Sequence, residues 1–208
     1  MTLFDATGRK TRALRAFLRR RARAKPAARP LLDRQAYPKL FAKRAIVFTD
    51  TADFTVRTAR DGILHFLMLF ERLVPEARKS VARASGELVK VEADSFLLRF
   101  PDAVSACRGI DAMESTLRKL NRGRPENQWL RFGYGVGFGD VLDLEHDLFG
   151  LEVNLASKLG EDMARPGEAL LTPAAAAALD PRTRRRVSFY RSVTFEKKPI
   201  RIQRLMLR

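Results

Sequence analysis

The spacing of apolar positions changes along the chain, and each change predicts an element. Ala45, Ile46, Val47 and Phe48 form a short continuous apolar run that ends at Thr49 and Asp50, as a buried strand would. Ile63, Phe66, Leu67, Phe70, Leu73 and Val74 then recur at three- and four-residue spacing, which predicts one long helix ending near Gly86. Residues 88–91 and 95–100 read as two strands joined by Glu92, Ala93 and Asp94, a hairpin. Asp102 is placed to cap a helix carrying Ala106, Ile110, Met113 and Leu117, and the polar stretch 121–125 ends it.

A further strand follows, in which Leu130, Phe132, Tyr134, Val136 and Phe138 alternate with Gly133, Gly135, Gly137 and Gly139. Alternation puts the large side chains on one face and leaves close-approach space on the other. The order so far is β-α-β-β-α-β, which predicts an α+β fold with a ferredoxin-like βαββαβ core, an antiparallel sheet carrying its helices on one face. Beyond it, 149–163 reads as a helix, 168–172 as a strand, and 187–207 as two more strands. Order alone identifies no function.

The first 42 residues break with this pattern. Leu14, Phe17, Leu18 and Ala22 are at helical spacing, so a short basic helix is expected before Pro26 and Pro30 interrupt it. From Arg9 to Arg44 cations are dense and Asp33 is the only acid, which accounts for most of the net charge of +16. The division expected is therefore a basic helix and linker over 1–42 and one folded domain over 43–208. Such an arm is either a solvated or self-packed helix, or a contact for an anionic membrane or a protein partner, while the rest of the chain is too balanced in charge to suggest nucleic acid. No apolar stretch approaches the roughly 20 residues that span a bilayer, and Phe17 and Leu18 run straight into Arg19, Arg20 and Arg21 rather than a signal-peptide core. With Cys107 the single cysteine and in an apolar helical run, a reducing, cytoplasmic setting is expected, with peripheral contact at the inner face of a membrane as an option.

Two acids stand out against this frame. Asp50 ends a buried-looking strand and Asp94 sits at a hairpin tip, and a fold that pairs those strands could bring the carboxylates together as hard oxygen ligands for Mg²⁺ or Mn²⁺. Between Asp50 and the long helix, the backbone N–H groups of Thr51, Ala52, Asp53, Phe54 and Thr55 could cradle a triphosphate at a helix N-terminus. Equally, strand-end aspartates often close turns, and Asp53 could simply cap the helix. His65 and His146 are too scattered for a zinc site.

Three blocks, in order, carry a resemblance. Residues 47–55 (Val-Phe-Thr-Asp-Thr-Ala-Asp-Phe-Thr), 90–96 (Lys-Val-Glu-Ala-Asp-Ser-Phe) and 147–159 (Asp-Leu-Phe-Gly-Leu-Glu-Val-Asn-Leu-Ala-Ser-Lys-Leu) resemble the signatures of class III adenylate and guanylate cyclase catalytic domains. Pro166, Gly167 and Glu168 followed by Leu170, Leu171 and Thr172 resemble the strand after the third block. The resemblance implies the class III nucleotidyl cyclase fold with extra C-terminal strands and helix. It also implies two Mg²⁺ or Mn²⁺ ions on Asp50 and Asp94, with Thr51 beside them, and attack of the 3′-hydroxyl of a nucleoside triphosphate on its own α-phosphate. Lys90 and Asp147 stand where adenylate cyclases place their purine-selecting pair, and the chemistry suits adenine: an ammonium donates to N1 and a carboxylate accepts from the exocyclic amine. ATP is the substrate so implied.

The same resemblance makes Asn154 the group that orients the ribose and Lys158, four residues on and on the same helical face, the group that steadies α-phosphate charge. The family's usual residue at the second position is arginine, and lysine keeps the charge but loses the planar fork. Ala93 replaces the family's usual glycine before the second aspartate, and Lys197 and Lys198 are candidates for a triphosphate-contacting lysine. Because the family builds each site from two subunits, a head-to-tail homodimer is implied, with Trp129 and Phe138 as candidate interface residues. The alternative is a degenerate cyclase-homology domain that binds nucleotide or a partner without efficient catalysis.

Overall fold

The computed structural model describes residues 8–208, so residues 1–7 of the basic segment lie outside the described residues. In chain order the elements are α1 (Arg9–Arg23), a 3₁₀ turn (Pro26–Ala28), α2 (Arg29–Leu40), β1 (Phe41–Thr51), α3 (Phe54–Asp61), α4 (Ile63–Arg83), β2 (Glu87–Glu92) and β3 (Ser95–Phe100). Then come α5 (Ala103–Asn121), β4 (Phe132–Asp143), β5 (Leu148–Phe149), α6 (Leu151–Asp162), β6 (Ala169–Leu171), α7 (Pro173–Ala177), α8 (Pro181–Arg184), β7 (Val187–Phe195) and β8 (Lys198–Leu205). The anticipated α+β order is present, and Asp102 caps α5 by accepting from the Ser105 N–H at 2.7 Å.

Two local expectations need correction. Pro30 does not end helical structure but lies in the first turn of α2, where a missing N–H costs nothing. The single long helix anticipated from Ile63 to near Gly86 is present as α4, and a separate short helix, α3, precedes it and ends at Gly62 with φ 82°. Asp53 makes no side-chain cap; it holds a left-handed backbone (φ 59°), and its carbonyl accepts from Arg57.

The sheet runs β2-β3-β1-β4-β6-β8-β7. The first four strands are antiparallel neighbours and form the ferredoxin-like core, while β6 joins β4 in parallel and β8 and β7 close the far edge. One face carries α4 and α5 over a fully buried core in which Phe66, Phe70, Phe96, Phe132 and Tyr134 meet edge-on or tilted at ring separations of 4.6–6.4 Å. Tyr134 keeps its hydroxyl satisfied on Glu114 at 2.7 Å.

Helices are not confined to that face. α6 covers β4 and β1 on the opposite side, and the glycines of β4 are what let it approach. A Cβ on Gly135 would lie 2.0 Å from the Ala156 carbonyl oxygen and 2.4 Å from the Gly160 N, and one on Gly137 would lie 2.4 Å from the Glu152 oxygen. Gly160 is pressed in turn to the Phe48 carbonyl. The contact is backbone against backbone, so neither side can move a side chain away to make room. No helix lies over the β3–β2 side of this face, where Leu97 joins the buried cluster of Ile46, Val141, Leu148 and Val153, and the site described below lies at its margin.

Replacing Gly135 by Ala should lower unfolding stability by at least about 3 kcal/mol, the upper end for overpacking, measured by urea denaturation. Gly139→Ala, which would meet only the flexible Glu152 side chain at 3.0 Å, should cost clearly less. Equal losses would contradict backbone contact as the cause.

Candidate active site

Asp50 and Asp94 are brought together by pairing rather than by proximity in sequence. β3 and β4 both pair with β1, so Asp50 is near the end of a central strand and the β2–β3 turn lies beside it. Two threonines stitch that turn down: Thr49 Oγ1 accepts from the Phe96 N–H at 3.0 Å, and Thr51 Oγ1 donates to the Asp94 carbonyl at 2.7 Å. Ala93 holds φ 51° in the turn, a left-handed conformation that favours glycine and costs an alanine on the order of 1 kcal/mol.

Both carboxylates are half-buried and uncomfortable. Asp50 is pushed up to about 6, first by burial and then by the charge of Asp94, against a modest opposing hydrogen bond from Ser95 at 3.4 Å. Asp94 is also raised, by burial and by Glu161 on α6. Two mutually repelling acids with few donors around them fit a divalent cation, which would supply the missing positive charge; the donor set is all oxygen and suits Mg²⁺ or Mn²⁺.

Next to the acids a small cavity is lined by Phe48, Lys90, Glu92, Ser95, Leu97, Asp147 and Glu161. Lys90 Nζ is 3.9 Å from Asp147 Oδ2, so the two residues assigned to base selection do meet although they are far apart in sequence. Lys90 is closer to Glu92, at 2.6 Å, and this pairing raises its pKa. Asp147 Oδ1 accepts from the Leu148 N–H at 2.9 Å, which fixes its orientation.

The loop after Asp50 is partly committed elsewhere. The Ala52 N–H donates to the Arg131 carbonyl at 3.0 Å, so it is not free for phosphate, whereas Phe54 and Thr55 open α3 and have no helical acceptor. Arg57, buried in α3, holds that helix by donating to the carbonyls of Trp129 and Gln128 at 2.6 and 2.9 Å. Trp129 is itself 39 % exposed, and Phe138 is half-buried with Lys43 over its ring.

Asn154 and Lys158 lie on the solvent side of α6, whose Val153, Leu155, Ala156 and Leu159 face the sheet. The ion pair of Lys158 is with Asp162 at 3.1 Å, and among the described residues neither Asn154 nor Lys158 bonds to Asp50 or Asp94. Lys197 and Lys198 are at the β7–β8 turn, where Glu196 and Lys197 both take positive φ. Glu92 and Glu161 were not singled out from the sequence. Glu92 was legible as the same-face neighbour of Lys90 two residues along a strand, and Glu161 as the i+3 and i+7 neighbour of Lys158 and Asn154 on one helix.

The raised Asp50 has a definite stability signature. An acid whose folded pKa exceeds its unfolded value of about 3.9 costs nothing at low pH; stability then falls as pH rises to about 6, and the full cost persists above that. In metal-free protein Asp50→Asn should therefore raise stability near neutral pH, by on the order of 1 kcal/mol after screening at this half-exposed site, and change little near pH 4. Thermal melts with added Mn²⁺ should stabilise the parent and not the variant. Equal effects of the substitution at both pH values would contradict the assignment.

No family profile matches the chain. A curated protein of Rhizobium meliloti (strain 1021), named "Putative adenylate cyclase 3", is 29 % identical over 123 residues, which are 59 % of this chain and 21 % of that protein. The chain thus spans about a fifth of that relative's length. Among solved structures, the catalytic core of a rhodopsin-guanylyl cyclase with converted specificity, in complex with ATPαS, superposes with TM-score 0.69 at 17 % identity, covering 81 % of this chain and 97 % of that one. An adenylate/guanylate cyclase/hydrolase from Silicibacter pomeroyi superposes with TM-score 0.66 at 23 % identity, covering 79 % and 96 %. An adenylyl cyclase from P. aeruginosa does so with TM-score 0.66 at 21 % identity, covering 80 % and 94 %. The chain has the catalytic-domain fold of the class III adenylate and guanylate cyclases.

Proposed function

We propose that this domain converts ATP to 3′,5′-cyclic AMP and pyrophosphate at sites shared between two copies of the chain. The observation that carries the reading is the close pair of half-buried acids, Asp50 and Asp94, beside a cavity whose polar wall is Lys90 and Asp147. Mg²⁺ or Mn²⁺ ions held by Asp50 and Asp94, with Thr51 alongside, would lower the pKa of the ribose 3′-hydroxyl and offset phosphate charge. The chain's residues do the rest. Lys90 donates to adenine N1 and Asp147 accepts from the exocyclic amine, which orients the base. The N–H groups of Phe54 and Thr55 at the start of α3 meet the phosphates. As the 3′-oxygen gives up its proton to solvent and bonds to the α-phosphorus, the bond from that phosphorus to the oxygen shared with the β-phosphate breaks and pyrophosphate leaves.

Two copies are needed because Asn154 and Lys158 turn away from their own chain's acids to the solvent side of α6. A second chain would bring them over the helix-free side of the sheet face, Asn154 to the ribose and Lys158 to the α-phosphate. Support for such an interface is the apolar surface at the start of α4, where Ile63, Leu64, Leu67 and Met68 are 44–79 % exposed.

The second reading, a domain that binds nucleotide without efficient turnover, is favoured by one observation. Lys158 is tied to Asp162 at 3.1 Å and lacks the bidentate geometry of arginine. The same experiment separates the two.

Purified protein with Mn²⁺ should form cyclic AMP from ATP in preference to cyclic GMP from GTP, and Asp50→Ala should reduce the rate at least about a hundredfold. Because guanine offers a donor at N1 and an acceptor at O6, Lys90→Glu with Asp147→Asn should shift the ATP:GTP preference toward GTP by at least about tenfold. Nucleotide binding without any cyclic product, at concentrations that support dimers, would leave the second reading standing and defeat the first.

A further inference from the structure

Helices α1 and α2 pack against each other and are pinned to the domain through the loop after β4. The Glu145 carboxylate accepts from the N–H groups of Lys10 and Thr11 at 2.6 and 3.2 Å and from the Thr11 hydroxyl at 3.2 Å, which caps the start of α1. Lys10 also reaches the buried Asp143 at 3.5 Å, and Leu14, Leu40 and Leu144 close a small apolar core beneath. The helical pair is therefore a fixed platform and not a loose arm.

Its own seam is incompletely filled. A groove open to solvent runs between the helices, with an apolar floor that includes Ala16, Phe17, Leu32 and Ala36 and a mouth formed by Arg20, Gln35 and Lys39. Alanines at Ala13, Ala16 and Ala36 leave space where larger side chains would pack. Arg19 and Arg23, three residues on from Ala16 and Arg20, extend the cationic mouth along α1. Among the described residues none of Arg19, Arg20, Arg23 and Lys39 has a carboxylate partner, because Asp33, the only acid in this segment, is bound by Arg21 at 2.6 and 3.0 Å. On α2, Leu31 stands 56 % exposed one turn before Gln35.

We propose that the α1–α2 pair docks on an anionic phospholipid surface, with an acyl chain entering the groove and headgroup phosphate meeting Arg20 and Lys39. Charge complementarity selects a polyanion, and the apolar groove and exposed Leu31 select among polyanions. A nucleic acid backbone would satisfy the cations but leave Leu31 and the groove floor in water, whereas an anionic bilayer supplies both phosphate and hydrocarbon. Among the described residues no helix is long and apolar enough to cross a membrane, so the contact is from one side.

The test is sedimentation of the whole protein with vesicles of phosphatidylcholine alone and of phosphatidylcholine mixed with phosphatidylglycerol, at low and high salt. Binding should require phosphatidylglycerol and weaken with salt. Each cation near an anionic leaflet contributes roughly a fivefold factor, so Arg20→Glu with Lys39→Glu should weaken binding at least about twentyfold. Unchanged circular dichroism and thermal melting of the variant would show that the loss is local. Leu31→Trp should give a blue-shifted emission on the mixed vesicles that brominated lipid quenches. Equal binding to neutral vesicles, full binding by the charge-reversed variant, an unshifted tryptophan, or binding to duplex DNA but not to the mixed vesicles would each overturn the proposal. None of these outcomes depends on whether the domain cyclises ATP.

Discussion

Everything distinctive about this molecule follows from the backbone contact between α6 and the glycine face of β4. With Gly135 and Gly137 against the carbonyls of Ala156 and Glu152, the helix sits directly on the sheet and cannot slide without collision. That placement decides the rest. α6 occupies the β4–β1 half of the second face, no helix covers the β3–β2 half, and Asn154 and Lys158 are turned outward on the helix's far side.

At the margin of the helix-free half, the fold keeps an electrostatic cost. Burial and mutual repulsion hold Asp50 and Asp94 above the ordinary carboxylate range, and the threonine bonds that position the β2–β3 turn do not relieve it. Such a pair makes sense as a site whose charge is balanced from outside the chain. The strained Ala93 is at the same place, so local conformational cost and electrostatic cost coincide at the proposed centre of the chemistry. Glu92, at 2.6 Å, competes with Asp147, at 3.9 Å, for the Lys90 ammonium.

Much of the architecture was legible because period and glycine alternation carry direct steric information. β1, the β2–β3 hairpin, α5 with its Asp102 cap, and β4 were all readable in this way. What was missed has physical causes. Pro30 and Pro38 look like breakers, yet one falls in a first turn and the other is tolerated within α2, so the second basic helix was hidden. The glycine face of β4 announced a close approach but not its occupant, since α6 is distant in sequence. Asp50 and Asp94 were two strand-end acids on spacing alone, and only the ordered resemblance to a family made them a pair; strand pairing then put them side by side. Glu92 and Glu161 share a strand face with Lys90 and a helix face with Lys158, but spacing alone does not show that Glu92 ion-pairs Lys90 at 2.6 Å or that the Glu161 charge raises Asp94.

The central claim, that the acids of one chain work with α6 of another, is tested most directly by mixing two singly disabled proteins. Asp50→Ala and Asn154→Ala should each be nearly inactive alone. Mixed under conditions that exchange subunits, they should recover about a quarter of the parent activity, because half the dimers are then mixed and each of these contains one site with both residues intact. If no activity returns although mixed dimers form, or if Asn154→Ala alone retains full activity, the shared site is wrong.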